Sequence, residues 1–190
     1  FLTVAFLLLP LILSFDQAIA AQGNQGLQDG WAIDDSCQVL FNADVAKKMS
    51  EAGAGLVRIN FRLGISEDWT ETATCGVSAL ELYDEVVQNA LDNGLEVLGL
   101  LSNESWHGEQ TAWQENSAEM TGSNGDNSYL VDFSRGAAVL LSQHFSGSIS
   151  TWEVWNEPNA YTQYSDIDGY VGGTFIYPSY VEDIMGPMCF

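Results

Sequence analysis

The chain reads as an α/β protein made of consecutive βα units around a parallel sheet. Three observations carry that expectation. Helix, glycine and strand recur in that order, with Gly53 closing a helical run before residues 56–61 and Gly94 closing another before residues 95–101. The stretch from Leu95 to Leu101 is nearly all apolar, as in strands covered on both faces of a parallel sheet. No hairpin signals separate the strands, so right-handed crossovers are the natural connections.

Each element has its own justification. A first short strand is expected near residues 30–33, Gly-Trp-Ala-Ile. Residues 42–52 form a helix: Asn42 caps it, Val45, Ala46 and Met49 make its apolar stripe, and Gly53 supplies the stop. In the strand over 56–61, alternation by two puts Arg58, Asn60 and Arg62 on one face. Val57, Ile59 and Phe61 then share the other. A second helix starts at the N-cap Ser78, runs through Leu82, Val86, Val87 and Ala90, and ends at Gly94. A polar loop spans 102–126, and a third helix over 127–145 leads into a strand ending near Glu157. Pro178 opens a fourth helix at its N1 position. There is no further repeat, linker or second domain. A doubly wound nucleotide-binding fold is disfavoured, because Gly53-Ala54-Gly55 closes a helix and opens a strand. A phosphate loop needs the reverse order.

Residues 149–159 read Ile-Ser-Thr-Trp-Glu-Val-Trp-Asn-Glu-Pro-Asn. Trp152, Val154 and Trp155 favour extended, half-buried backbone, and Pro158 forces the strand to stop. Glu157 is thereby expected at a strand mouth, beside the amide of Asn156 and downstream of two tryptophans. A carboxyl group among aromatics can serve as a proton donor near neutral pH. A surface glutamate at a strand–loop junction is the plainer alternative.

This string resembles the fourth-strand motif of clan A glycoside hydrolases, the retaining (β/α)8-barrel enzymes that include cellulase-like family 5 and xylosidase-like family 39. The layout agrees over roughly residues 27–183, and the specific match is the region around Glu157. The resemblance implies that the chain is the N-terminal portion, about four βα units, of a (β/α)8 TIM barrel. It implies Glu157 as general acid/base and Asn156 as a ligand of the sugar 2-hydroxyl. Val57-Arg58-Ile59 is similar to the clan's Val-Arg motif, whose arginine supports nucleophile and substrate; a structural salt bridge is the alternative for Arg58. Glu153 shares parity with Trp155 and Glu157 and should face inward with them. A carboxylate there needs a partner, for which Arg58 or Arg62 is suggested. Asn103, Glu104, Trp106 and His107 follow the 95–101 strand at the end where barrel active sites are built. Asn103, Trp106 and Trp155 complete the expected substrate-binding set. Trp106 is the best candidate for a stacking platform, with an aromatic lid over the core as the alternative.

Retaining hydrolysis needs two carboxyls about 5–5.5 Å apart. The resembling enzymes take their nucleophile from the end of a seventh strand, so it is expected outside these 190 residues. A complete barrel needs about 250 residues, and this piece alone is expected to be inactive. A non-catalytic carbohydrate-binding or structural protein on a degenerate barrel is the rival reading.

Residues 1–21 read as a secretory signal peptide, with an apolar run from Phe1 to Leu13 and a small-x-small site at Ala18-Ile19-Ala20. The apolar run is shorter than the about 20 residues a bilayer requires. The missing Met and basic n-region leave an incomplete amino end, or an upstream signal anchor, as expectations. Residues 22–190 then form the partial barrel domain of a secreted glycosidase. A net charge of −21, from 26 acidic residues against five Lys and Arg, argues against nucleic acid and against an anionic membrane. It tolerates a neutral polysaccharide partner. Hydrophobic content of 46% and six Trp, seven Tyr and nine Phe suit either a core or sugar stacking. No cofactor is called for. Cys37, Cys75 and Cys189 fit no zinc or iron–sulfur spacing, and His107 and His144 are too scattered for a metal site. A Cys37–Cys75 bridge is suggested by their loop-like settings. Asn103-Glu104-Ser105 is an N-glycosylation sequon. Ser-His-Asp catalysis finds no support in the motifs.

Overall fold

The computed structural model describes residues 31–107 and 128–158, together with the backbone of two short strands further on. The expected leader, most of the 102–126 loop, the helix expected at Pro178 and Cys189 lie outside the described residues.

Helix α1 (Ala43–Glu51) begins where Asn42 Oδ1 accepts the Val45 N–H at 3.1 Å, which satisfies one of the open amides of the first turn. It ends as Gly53 takes a φ of +92° and its N–H reaches Ser50 O. Strand β1 (Leu56–Asn60) follows at once. Helix α2 (Ala79–Asp92) opens with a capping box, in which Ser78 and Glu81 each bind the other's backbone N–H. Gly94, at φ +73°, turns the chain into β2 (Glu96–Leu101).

The third helix is not the uniform rod that its sequence suggests. It consists of α3 (Ser128–Phe133), a π-helical stretch Ser134–Val139, and α4 (Leu140–His144). Ser134 Oγ donates back to the Leu130 carbonyl at 2.8 Å, a side-chain bond that competes with the helical ladder. Strand β3 (Thr151–Val154) comes next. Two-residue strands β4 (Thr162–Gln163) and β5 (Val171–Gly172) pair antiparallel. That small ladder corrects the expectation of purely parallel connections; two residues per strand are too few to leave a periodic trace in a sequence.

The main sheet is parallel in the sequential order β1-β2-β3. The register sets Asn60 beside Leu100 and Leu100 beside Glu153. The strand expected at 30–33 is reduced to single bridges: Trp31 pairs parallel with Asn60, and Ile33 pairs antiparallel with Val39. One face of the sheet meets the helices. Val57, Ile59, Phe61, Val97 and Leu101 are buried there in one apolar cluster with Leu82, Val86, Leu130, Phe133 and Leu141. Phe61 stacks on Tyr83 with ring centroids 4.6 Å apart, and Trp69 is fully buried beside both. Gly99 of β2 leaves space for the Trp152 ring of β3, which a Cβ at Gly99 would strike.

Candidate functional site

The opposite face of the sheet carries the polar side chains. Alternation along β1 buries Val57, Ile59 and Phe61 and leaves Arg58, Asn60 and Arg62 wholly or partly open. Arg58 donates to Glu153 twice, Nε to Oε2 at 2.6 Å and Nη2 to Oε1 at 2.8 Å. The same Nη2 also donates to Asn156 Oδ1 at 3.0 Å. This fork joins the first strand to the third across β2 and fixes both residues that flank Val154-Trp155. The Arg58 hydrogen bond holds the Glu153 carboxyl below the usual glutamate range despite an opposing effect of burial. Reciprocally, Arg58 is pushed up, first by the Glu153 bond and in smaller part by the charge of Glu157. Glu157 therefore lies within electrostatic reach of the fork, exposed at the strand mouth.

A second network continues from the first along the strand ends. Asn60 Nδ2 donates to Glu104 Oε2 at 2.6 Å, and Ser102 Oγ donates to Asn60 Oδ1 at 2.8 Å. Arg62 Nε lies 3.5 Å from Glu104 Oε1, and its Nη1 lies 2.7 Å from Asp35 Oδ1. The guanidinium also sits 3.6 Å over the ring of Trp31, a cation–π contact. Asp35 is presented by a turn in which Asp34 Oδ1 accepts from Ser36 N–H, Ser36 Oγ and Gln38 N–H. The Ser36 hydroxyl, more than the backbone donors, holds Asp34 below the usual aspartate range. Cys37 in that turn is bridged to Cys75, as suggested from their settings. Beneath the network, Tyr83 Oη donates to the Asn60 carbonyl at 3.0 Å and accepts the Arg62 N–H at 2.7 Å. Burial pushes that phenol well above its ordinary value.

The residues after β2 form a 3₁₀ turn, Asn103–Ser105, capped by Ser102. Ser105 is wholly buried, with its Oγ donating to Phe61 O and accepting the Ser102 N–H. Thus the sequon's hydroxyl is spent on the fold. Asn103 and Trp106 line a cavity of about 340 Å³ together with Arg62, Glu67, Glu104 and His107. Trp106 is half-buried against the π-helical stretch, where Gly136 leaves room for its ring and a Cβ would collide with it. Trp106 thus packs on the core and also borders the cavity.

The parity expectation fails at Trp155. Its side chain is 2% exposed and stands edge-on to Phe133 of α3, on the helical side of the sheet. The strand ends at Val154, and Trp155 takes a φ of +67°, which swings the side chain off the alternating pattern. In this position Trp155 belongs to the core and offers no open face to a sugar. Glu157 has a φ of +47°. Left-handed backbone at Trp155 and Glu157, two non-glycine residues, costs about 1–2 kcal/mol each, and such conformations gather at functional sites.

Sequence reasoning overlooked Asp35, Trp31 and Ser102. For Ser102 there was a signal, the Ser-x-x-Ser spacing of a short capped turn. The parts of Asp35 and Trp31 depend on the fold bringing residues 31–35 to Arg62, which no local pattern records. Among the described residues no group of three or more His, Cys, Asp or Glu is placed to hold a metal ion, and no helix is long and apolar enough to cross a membrane. In comparison with known proteins, the chain matches no protein-family model and no curated protein.

Proposed function

We propose that this chain is part of a secreted glycoside hydrolase acting by the retaining two-carboxylate mechanism, on the first strands of a (β/α)8 barrel. The observation that carries this reading is the Arg58 fork, which binds Glu153 and Asn156 and brings the mouths of β1 and β3 together beside Glu157. Sequential parallel strands with a polar face opposite the helices support the barrel. The Cys37–Cys75 bridge supports an oxidising compartment.

Within this reading Glu157 protonates the glycosidic oxygen and then, deprotonated, activates water for the second step. Asn156, with its carbonyl held by Arg58, keeps its amide N–H groups directed for a sugar hydroxyl. Arg58 positions Asn156 and neutralises Glu153. The nucleophile is assigned to no residue of this chain. Asn103 and Trp106 contribute to the substrate cleft through the adjoining cavity.

The test is leaving-group dependence in the protein that carries this sequence. Glu157→Gln should lower kcat/KM on unactivated glycosides by about 10²–10⁴-fold, the usual worth of a general acid. Activated aryl glycosides, which need no proton for departure, should lose far less in their first step. Equal loss on both would remove the acid role. Saccharide binding indifferent to Glu157→Gln, without turnover in the parent protein, would favour the non-catalytic carbohydrate-binding reading.

A further inference from the structure

Resting on the reading above, we infer that the cavity beside Glu104 selects by charge: it admits neutral saccharide units and repels those bearing carboxylate or sulfate. Among the described residues that line it, Arg62 is the one lysine or arginine, and its charge is already committed. Asp35 and Glu104 flank its guanidinium at 2.7 and 3.5 Å, the Trp31 ring covers it at 3.6 Å, and the side chain is 18% exposed. Its positive charge is thus offset twice before any ligand arrives. Glu67 adds a further carboxylate to the rim.

An anionic sugar entering here would face Glu67 and the net negative charge of the Asp35–Arg62–Glu104 group, with no uncommitted lysine or arginine among the described lining residues. Like charges brought together in a partly desolvated cleft disfavour binding strongly, and low-dielectric walls focus the field of one sign. A neutral pyranose meets none of this. It finds the Asn103 amide, the Glu104 carboxylate as an acceptor for hydroxyls, and the Trp106 side chain. Glu104 is pre-set for that purpose, since Asn60 and Arg62 fix its two oxygens. Glu67 and Glu104 are therefore the specificity-determining residues of this cavity, with Glu67 free of the network that holds the fold.

Two measurements test this at pH 8. The first is collisional quenching of Trp106 fluorescence, taken as the difference between the protein and Trp106→Phe at constant ionic strength. Caesium should quench this signal several-fold better than iodide relative to their action on free tryptophan, and Glu67→Lys should narrow the gap. Equal quenching by both ions would overturn the inference, and the effect of Glu67→Lys on total fluorescence gives the same answer should Trp106→Phe not fold. The second is an array of neutral, uronate and sulfated oligosaccharides. Retention of neutral glycans with acidic ones about tenfold weaker or more supports the inference, as does recovery of uronate binding in Glu67→Lys. Acidic glycans bound as tightly as neutral ones would overturn charge selection while leaving the saccharide reading intact. Retention of no glycan at all would overturn both.

Discussion

Arg58 and Glu153 sit on the open face of the sheet, with 44% and 38% of their side chains exposed, so solvent screens a pair that geometry favours. A bidentate fork at such exposure contributes about 0.5–1 kcal/mol. Its pH dependence has a definite sign. The Glu153 carboxyl is lowered in the folded chain from its ordinary 4.5, so the stabilisation is full above about pH 4.5 and is lost as pH falls through the lowered value. We expect Glu153→Gln to be less stable than the parent at pH 7 by about that amount, with the difference closing below pH 4.5. Urea unfolding of both proteins across this range checks it; a difference independent of pH would mean that Glu153 acts by packing, not charge. This pair was largely legible in the sequence. Alternation by two set Arg58, Asn60 and Arg62 on one face, and an inward carboxylate at Glu153 demanded a cation. Trp155 was not legible, because a left-handed turn at a bulky residue has no local mark.

At the level of elements, the boundaries that could be read were those set by one or two residues. Asn42, Ser78, Gly53 and Gly94 act on the backbone next to them, so caps and stops stood where the sequence put them. The openings at Gly99 and Gly136 answer to rings that come from distant segments, Trp152 and Trp106, and nothing near either glycine announces them. Gly99 offers a test of that distinction. By strand propensity alone, Gly99→Ala should help, since glycine weakens a strand interior. The collision of the new Cβ with Trp152 decides otherwise, because Trp152 is held between Phe61 and Phe145 with centroids at 5.1 and 6.5 Å. Overpacking of this kind costs about 1–3 kcal/mol. Gly99→Ala should therefore lower the unfolding free energy by that amount, and Trp152→Leu should make the alanine nearly neutral. A double-mutant cycle by denaturant unfolding measures the coupling, and additivity of the two changes would show that the Trp152 ring does not occupy the space over Gly99.

For the molecule as a whole the decisive quantity is the imbalance of 26 acidic residues against five cationic ones. Short pairs such as Arg58–Glu153 at 2.6 Å and Arg62–Asp35 at 2.7 Å are in contact, so salt weakens them only modestly. Repulsion among the remaining carboxylates acts over longer distances, and the screening length falls from about 30 Å at 0.01 M salt to about 10 Å at 0.1 M. Adding salt therefore removes more repulsion than attraction. We expect the melting temperature to rise by a few degrees between 0.02 and 0.5 M sodium chloride, equivalent to about 1 kcal/mol. Calorimetry at pH 7 reads this directly. A melting temperature that fell with salt would mean that the contact pairs outweigh the global field, and the Arg58 and Arg62 networks would then be the main electrostatic support of the fold. The same field bears on the cavity beside Glu104. If salt relieves repulsion across the molecule, it should also weaken the local exclusion of anions there, so that high salt raises the fold's stability while it lowers the cavity's discrimination.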